Sequence, residues 1–123
     1  MTRRYNSISA LGAFVIWGGW AFWINHSSGM TQALRSGLTQ GVASLLITLA
    51  MVRLVASLCA RFSYPLRLWL APLLTVALTG TGLVCLHWLA RTPHILSTIA
   101  LPLTVAFSFC LFTAYQLERQ RQA

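Results

Sequence analysis

The chain has 123 residues, of which 57% are hydrophobic and 8% are charged, and its formal net charge is +8 at pH 7. This composition excludes intrinsic disorder, and the long apolar runs exclude an ordinary soluble core. We therefore predict a single transmembrane domain, residues 1–123. The basic residues are all arginines in or beside apolar runs, so we expect membrane lipids rather than nucleic acid as partners.

The first apolar run, residues 8–24, follows Arg3 and Arg4 in the layout of a signal peptide, but no small-residue cleavage site comes after it. We therefore predict an uncleaved first span, which at 17 residues is near the short limit for crossing a bilayer. Gly12 and Gly19 are seven residues apart on one helix face. We expect them to form a notch for a neighbouring helix.

Trp17 falls near the middle of this first span, where its indole N–H needs a hydrogen-bond acceptor. Two interpretations stay open for this side chain. It packs against another helix, or it lines a cavity. A short polar turn at residues 25–30 then leads into the second helix.

The second apolar run, residues 38–58, lies within a helical pattern and carries most of the information about the architecture. Its 21 residues reach roughly 31 Å, the thickness of the hydrocarbon core. Small residues follow one line down this helix, and such residues let helix backbones approach closely in lipid. We predict that the stripe packs against another helix: Ala33, Gly37, Gly41, Ser44, Thr48, Met51 and Val55. Arg35 and Arg53 lie on the opposite side, which we expect to face lipid.

Two more apolar runs, residues 68–90 and 95–117, complete the predicted fold. Residues 91–94 allow only a tight reversal, so the last two spans must be antiparallel neighbours. The fold prediction is therefore an all-α, polytopic four-helix transmembrane bundle with spans at 8–24, 38–58, 68–90 and 95–117.

The arginines predict the orientation of this bundle. Seven of them fall on the side of the chain termini, whereas Arg35 and Arg91 fall on the other side. Because arginine is enriched in cytoplasmic segments, we predict that both termini are cytoplasmic (N-in and C-in). We expect the membrane to be a bacterial inner membrane.

Residues for catalysis are scarce. Glu118 is the single acidic residue, so a pair of catalytic carboxylates is impossible, and we find no nucleophile triad or phosphate-binding loop. A cation-coupled exporter usually has an acidic residue inside the membrane, and this chain has none there. The three cysteines have no metal-binding spacing. We predict a non-enzymatic protein without a metal or cofactor.

One candidate binding site follows from the predicted topology. Several aromatic and basic residues fall at the outer end of the bundle: Arg35, Arg91, His26, His87, Trp23 and Trp88. Guanidinium groups suit bidentate phosphate contacts, and indoles can seat an amphipathic molecule at the same depth. The alternative is that these residues only anchor the protein at the interface.

Three functions remain open on the sequence alone. The first is to bind or help translocate an amphipathic, phosphate-bearing lipid or lipid-linked substrate. The second is to act as an accessory subunit whose small-residue faces pack against a larger membrane protein. The third is to export a small solute as a homodimer.

Overall fold

Four long helices form the protein in the computed structural model, which describes the backbone of residues 3–122 and the side chains of residues 7–122. They are α1 (Arg3–Asn25), α2 (Met30–Cys59), α3 (Arg67–Leu89) and α4 (Ile95–Gln122), with a short 3₁₀ helix at His26–Ser28. No strand occurs in residues 3–122. The prediction of an all-α four-helix bundle is therefore confirmed.

Each of the four helices is long and apolar enough to cross a membrane, and the chain is accordingly an integral, multi-pass membrane protein. The helices extend beyond the apolar runs that predicted them. The 30 residues of α2 span about 45 Å, which exceeds the roughly 30 Å of a hydrocarbon core. The ends of α2 therefore reach the headgroup layers.

Short connections make consecutive helices antiparallel. The bundle thus has a turn end, with the connections 26–29 and 90–94, and a terminal end, with the connection 60–66 and the two ends of the chain. Helix α2 contacts all three other helices, whereas α1 and α3 do not touch within the described residues. The α1–α2 hairpin is the most closely packed pair.

Glycines explain this close α1–α2 contact. A Cβ atom added to Gly18 would lie 3.0 Å from the Gly37 carbonyl oxygen and 3.3 Å from the Gly41 Cα. Because these neighbours are backbone atoms, they have little freedom to move away. The notch predicted at Gly12 and Gly19 is not found. A Cβ atom added at either position would meet nothing within 4 Å in the described chain.

Two prolines lie inside helices, and one of them creates a local demand for a hydrogen bond. Pro102 in α4 has no backbone N–H, so the carbonyl of Thr98, four residues earlier, loses its helical donor. The indole N–H of Trp20 in α1 donates to this carbonyl at 3.0 Å. A side chain from a neighbouring helix thereby completes the backbone hydrogen bonding of α4, as a low-dielectric membrane interior requires.

Asn25, the last residue of α1, joins the same region of α4. Its amide nitrogen donates to Thr98 Oγ1 at 2.8 Å, and its amide oxygen accepts a hydrogen bond at 3.0 Å from the backbone N–H of His94. That N–H precedes the first turn of α4 and would otherwise have no helical partner. Asn25 therefore caps α4 from outside the helix.

The terminal end is held by one ion pair. Arg67, the first residue of α3, forms two hydrogen bonds with the Glu118 carboxylate of α4, at 2.6 and 2.9 Å. Below the pair lies an apolar cluster from α2, α3 and α4: Met51, Val55, Cys59, Ala71, Cys110 and Ala114.

Candidate functional site

The small-residue stripe of α2 faces the inside of the bundle. Its members are buried except Thr48, which is half-buried. Gly37 and Gly41 contact α1, and further along the helix the stripe borders a cavity of about 200 Å³. Small side chains on one helix thus leave unfilled space beside the tight hairpin.

All four helices contribute to the cavity wall. Apolar contacts come from α2, α3 and α4, among them Met51, Leu83 and Phe109. The polar part of the wall has a different composition. Among residues 7–122 it consists of neutral side chains: Ser9 and Trp17 from α1, Gln40, Ser44 and Thr48 from α2, and Thr79 from α3.

Gln40 is the centre of the polar wall. Its amide oxygen lies 2.7 Å from Nε2 of His87 in α3, and its amide nitrogen donates to Ser44 Oγ at 3.0 Å. Gln40 and His87 have no exposed surface. Because an unpaired polar group is costly in a buried position, these bonds hold both side chains in defined orientations.

The hydrogen bonds continue from His87 towards the turn end. Nδ1 of His87 lies 2.7 Å from the hydroxyl of Thr92, and the Ser36 hydroxyl donates to the same Thr92 oxygen at 3.3 Å. A chain of five side chains thus joins the 90–94 connection to the cavity: Ser36, Thr92, His87, Gln40 and Ser44.

The hydrogen bonds that join these five side chains run in one donor direction. The Gln40 amide oxygen can only accept a hydrogen bond, so Nε2 of the neutral His87 ring is the donor to it. Nδ1 is then the acceptor of a hydrogen bond from the Thr92 hydroxyl, and Thr92 Oγ1 accepts one from Ser36. Gln40 in turn donates to Ser44, so each hydrogen-bond donor points from the turn end into the cavity.

Trp17 lines this cavity, which is one of the two arrangements left open by its mid-span position. Its indole N–H forms no hydrogen bond within the described residues, in contrast to the indole N–H of Trp20. The Trp17 indole nitrogen is also not among the fully buried atoms that lack a partner, so it retains exposed surface. The cavity wall therefore contains a donor that remains available.

The residues of the sequence-predicted outer site are only partly brought together. Trp23 and His26 are exposed and stack on each other, with ring centroids 6.4 Å apart, at the end of α1. Trp88 is exposed on α3. His87 differs from the prediction: it is buried, and both ring nitrogens are engaged inside the bundle, so it is not part of that surface.

Arg35 and Arg91 are exposed, and each precedes a member of a contacting pair. The pair is Ser36 and Thr92, which joins the start of α2 to the 90–94 connection. Arg91 has a left-handed backbone conformation with φ of 58°, a position after a helix that glycine commonly fills. The hydrogen bond from Thr92 N to His87 O closes this turn at 2.9 Å.

Metal-binding residues are dispersed. Within the described residues, no group of three or more His, Cys, Asp or Glu side chains could hold a metal ion. The three cysteines are free thiols; Cys59 and Cys110 are buried, and Cys85 is exposed.

No protein-family model, curated protein or solved structure matches the chain.

Sequence reasoning missed the residues that organise the interior: Asn25, Gln40 and Thr98. A signal for Gln40 was present, because a long amide side chain stood between small residues near the start of the second apolar run. Such a residue is expensive in lipid unless it finds a partner inside the bundle. Its spacing of four from Ser44 also placed both on one helix face.

Proposed function

We propose that this protein binds an amphipathic, lipid-type molecule in the cavity between its four helices. The cavity of about 200 Å³ is the observation that carries the proposal, because its wall combines apolar surface with a few polar groups, as ligand sites commonly do. The chain offers no comparable support for catalysis, since its one carboxylate is paired with Arg67 at the terminal end.

A ligand from the membrane would enter between α1 and α4. In the described residues, the hydrogen bonds that join these two helices come from Trp20 and Asn25, both near the turn end. The cavity-lining residues of α1, Ser9 and Trp17, lie further towards the terminal end. Among residues 7–122, the hydrogen bonds across the α1–α4 seam are therefore confined to one end, which favours lateral access from lipid.

A second candidate is a contact with a lipid phosphate at the turn end, made by Arg35 and Arg91. It is favoured by the left-handed conformation of Arg91, since a non-glycine residue is strained there and such strain concentrates at functional sites. Trp23, Trp88 and His26 would border the same headgroup layer. In this proposal, the predicted N-in and C-in orientation places the turn end at the outer leaflet of a bacterial inner membrane.

Native mass spectrometry of the protein extracted in mild detergent tests the first proposal. We expect wild-type protein to retain a bound lipid-type molecule. Ala106→Phe should abolish its retention, because Ala106 lines the cavity and the larger ring would occupy the space. Ala100→Phe is the matched control, since Ala100 is exposed on the same helix and should leave retention unchanged.

Other outcomes would contradict the proposal. Equal retention by both variants would mean that the molecule does not occupy the cavity. A second protein in fixed stoichiometry, without bound lipid, would favour an accessory subunit. A homodimer without a bound molecule that depletes a solute from cells would favour an exporter. For the second candidate, the double variant Arg35→Gln/Arg91→Gln should lose a phosphate-bearing lipid while Ala106→Phe keeps it.

A further inference from the structure

We infer that the cavity recognises a neutral carbonyl group on its ligand, an inference that rests on the proposed function and narrows its substrate class. The polar wall is rich in hydrogen-bond donors whose partners are not supplied by the described chain. A carbonyl oxygen accepts hydrogen bonds and carries no proton and no charge. It is therefore the group that completes this wall with the least desolvation cost.

Trp17 provides the clearest donor. An indole N–H can donate but cannot accept, and this one forms no hydrogen bond within residues 7–122. Trp17 borders the cavity directly, whereas Gln40 has no exposed surface and acts on the wall through its hydrogen bond to Ser44.

The hydroxyl groups of Ser44 and Thr48 differ from most others in the bundle, whereas that of Thr79, which also lines the cavity, does not. In α3 and α4, seven hydroxyls donate to the carbonyl four residues earlier in their own helix: those of Thr75, Thr79, Thr81, Thr98, Thr104, Ser108 and Thr113. Ser44 and Thr48 of α2 form no such bond in the described structure. Their protons are free to point at a ligand.

The five hydrogen-bonded side chains that include His87 orient the Ser44 hydroxyl as a donor towards the cavity. Because Ser44 Oγ accepts a hydrogen bond from the Gln40 amide, the Ser44 hydroxyl proton must point elsewhere, and the donor direction is set by residues outside the cavity, Ser36 and Thr92. A ligand hydroxyl or amine could also bind, but its own proton would then need an acceptor among the hydroxyl oxygens of the wall. A carbonyl group needs no acceptor.

The same wall disfavours a charged group. Among residues 7–122, no arginine, aspartate or glutamate borders the cavity, so the described wall offers no counter-ion to a phosphate or ammonium group that would be desolvated there. Two kinds of membrane molecule carry neutral carbonyls. One is a glycerolipid, through its acyl esters, and the other is a lipid-soluble quinone, through its ring.

The test measures binding of three probes to wild-type protein in lipid-depleted detergent, by native mass spectrometry. The probes are a diester phospholipid, a diether phospholipid with the same headgroup and chains, and a benzoquinone with a short alkyl tail. We expect the diester or the quinone to bind about three- to tenfold more tightly than the diether, the range that one or two hydrogen bonds provide. Preference for the diester would identify a glycerolipid ester as the carbonyl that is recognised. Selective binding of the quinone would identify a quinone carbonyl instead.

Two pairs of variants assign the effect to the cavity. Thr48→Val removes a cavity hydroxyl, and Trp17→Phe removes the indole N–H while keeping an aromatic ring. We expect each to reduce binding of the carbonyl probe about three- to tenfold and to leave diether binding unchanged. The controls, Thr104→Val and Trp69→Phe, alter the same side-chain types at exposed positions and should have no effect.

The outcomes separate this inference from the function on which it rests. Equal binding of the ester, ether and quinone probes, still abolished by Ala106→Phe, would overturn carbonyl recognition and keep the cavity as a lipid site. Binding that Ala106→Phe does not change would overturn both. Loss of binding in the exposed control variants would show that the effect is not local to the cavity, and this too would overturn the inference.

Discussion

At the scale of single residues, the proline at position 102 and the tryptophan at position 20 are best understood together. Pro102 removes the helical donor for the Thr98 carbonyl, and Trp20 replaces that donor from α1. Neither residue is explained by its own helix. The hydrogen bond ties the α1–α2 hairpin to α4, so it contributes to tertiary structure and also supplies the missing backbone hydrogen bond.

A double-mutant cycle tests this dependence. Trp20→Phe keeps an aromatic ring but leaves the Thr98 carbonyl without a donor, so we expect it to lower the free energy of unfolding by about 1–3 kcal/mol. In a Pro102→Ala background, the alanine N–H supplies the donor, and the same substitution should cost markedly less. Denaturant unfolding in detergent micelles provides the four free energies. An equal cost of Trp20→Phe in both backgrounds would show that the indole acts by packing alone.

The residue scale also shows what the sequence could not resolve. The depth of His87 in its span was readable, and depth alone suggested an interfacial side chain. Its direction was not fixed by the polar residues of its own helix, because the nearest inward-facing one, Thr79, lies about two turns away. Only the positions of Gln40 and Thr92, on other segments, place the imidazole inside the bundle.

At the scale of helices, the sequence was most informative where a physical signal was repeated along many residues. The apolar length of each span predicted four helices, and the run of small residues on α2 predicted its inward face. The partner surface on α1 was not predictable in the same way. Gly18 and Gly19 are adjacent, and which of them meets α2 depends on how the two helices cross, a property of the hairpin as a whole.

The adjacent glycines of α1 provide a matched test of the hairpin contact. Gly18→Ala would place a methyl group 3.0 Å from the Gly37 carbonyl oxygen, so the helices must separate, and we expect a loss of about 1–3 kcal/mol in unfolding free energy. Gly19→Ala meets nothing within 4 Å and should be neutral or slightly stabilising, since alanine is the better helix former. Thermal unfolding of both variants in detergent is the measurement. Similar losses at the two positions would contradict the observed crossing.

The α3–α4 pair makes a separate prediction at its terminal end. Glu118→Gln or Arg67→Gln should lower the unfolding temperature, because each leaves one partner of the bidentate pair without its counter-charge. The reversed pair, Arg67→Glu with Glu118→Arg, should recover part of the loss. Glu118→Gln has a natural control in Gln116→Glu, which adds a charge at an exposed position two residues away. No recovery in the reversed pair would indicate that backbone geometry, rather than charge pairing, matters here.

At the scale of the whole molecule, the hydrogen bonds divide the bundle into two regions with different roles. The turn end is fixed by Asn25, Trp20 and the His87 chain, and the terminal end is fixed by Arg67 and Glu118. Between them, on the α1–α4 side, lies the cavity. The Arg67–Glu118 pair joins α3 to α4, so among residues 7–122 the hydrogen bonds between α1 and α4 stay confined to the turn end, which is the arrangement on which the proposed lateral access depends.

The orientation of this arrangement in the membrane decides which leaflet each end faces. Seven arginines at or near the terminal end against Arg35 and Arg91 near the turn end predict a cytoplasmic terminal end. Single cysteines at Ser28 and Ser63, in a background with the three native cysteines replaced, report the two ends. We expect an impermeant maleimide added to intact cells to label the cysteine at position 28, and the one at position 63 to react only after the membrane is opened. The reverse labelling pattern would contradict the predicted orientation but would not change the bundle or its cavity. It would place Arg35 and Arg91 at the inner leaflet, where their phosphate contact would be with lipids of the cytoplasmic leaflet.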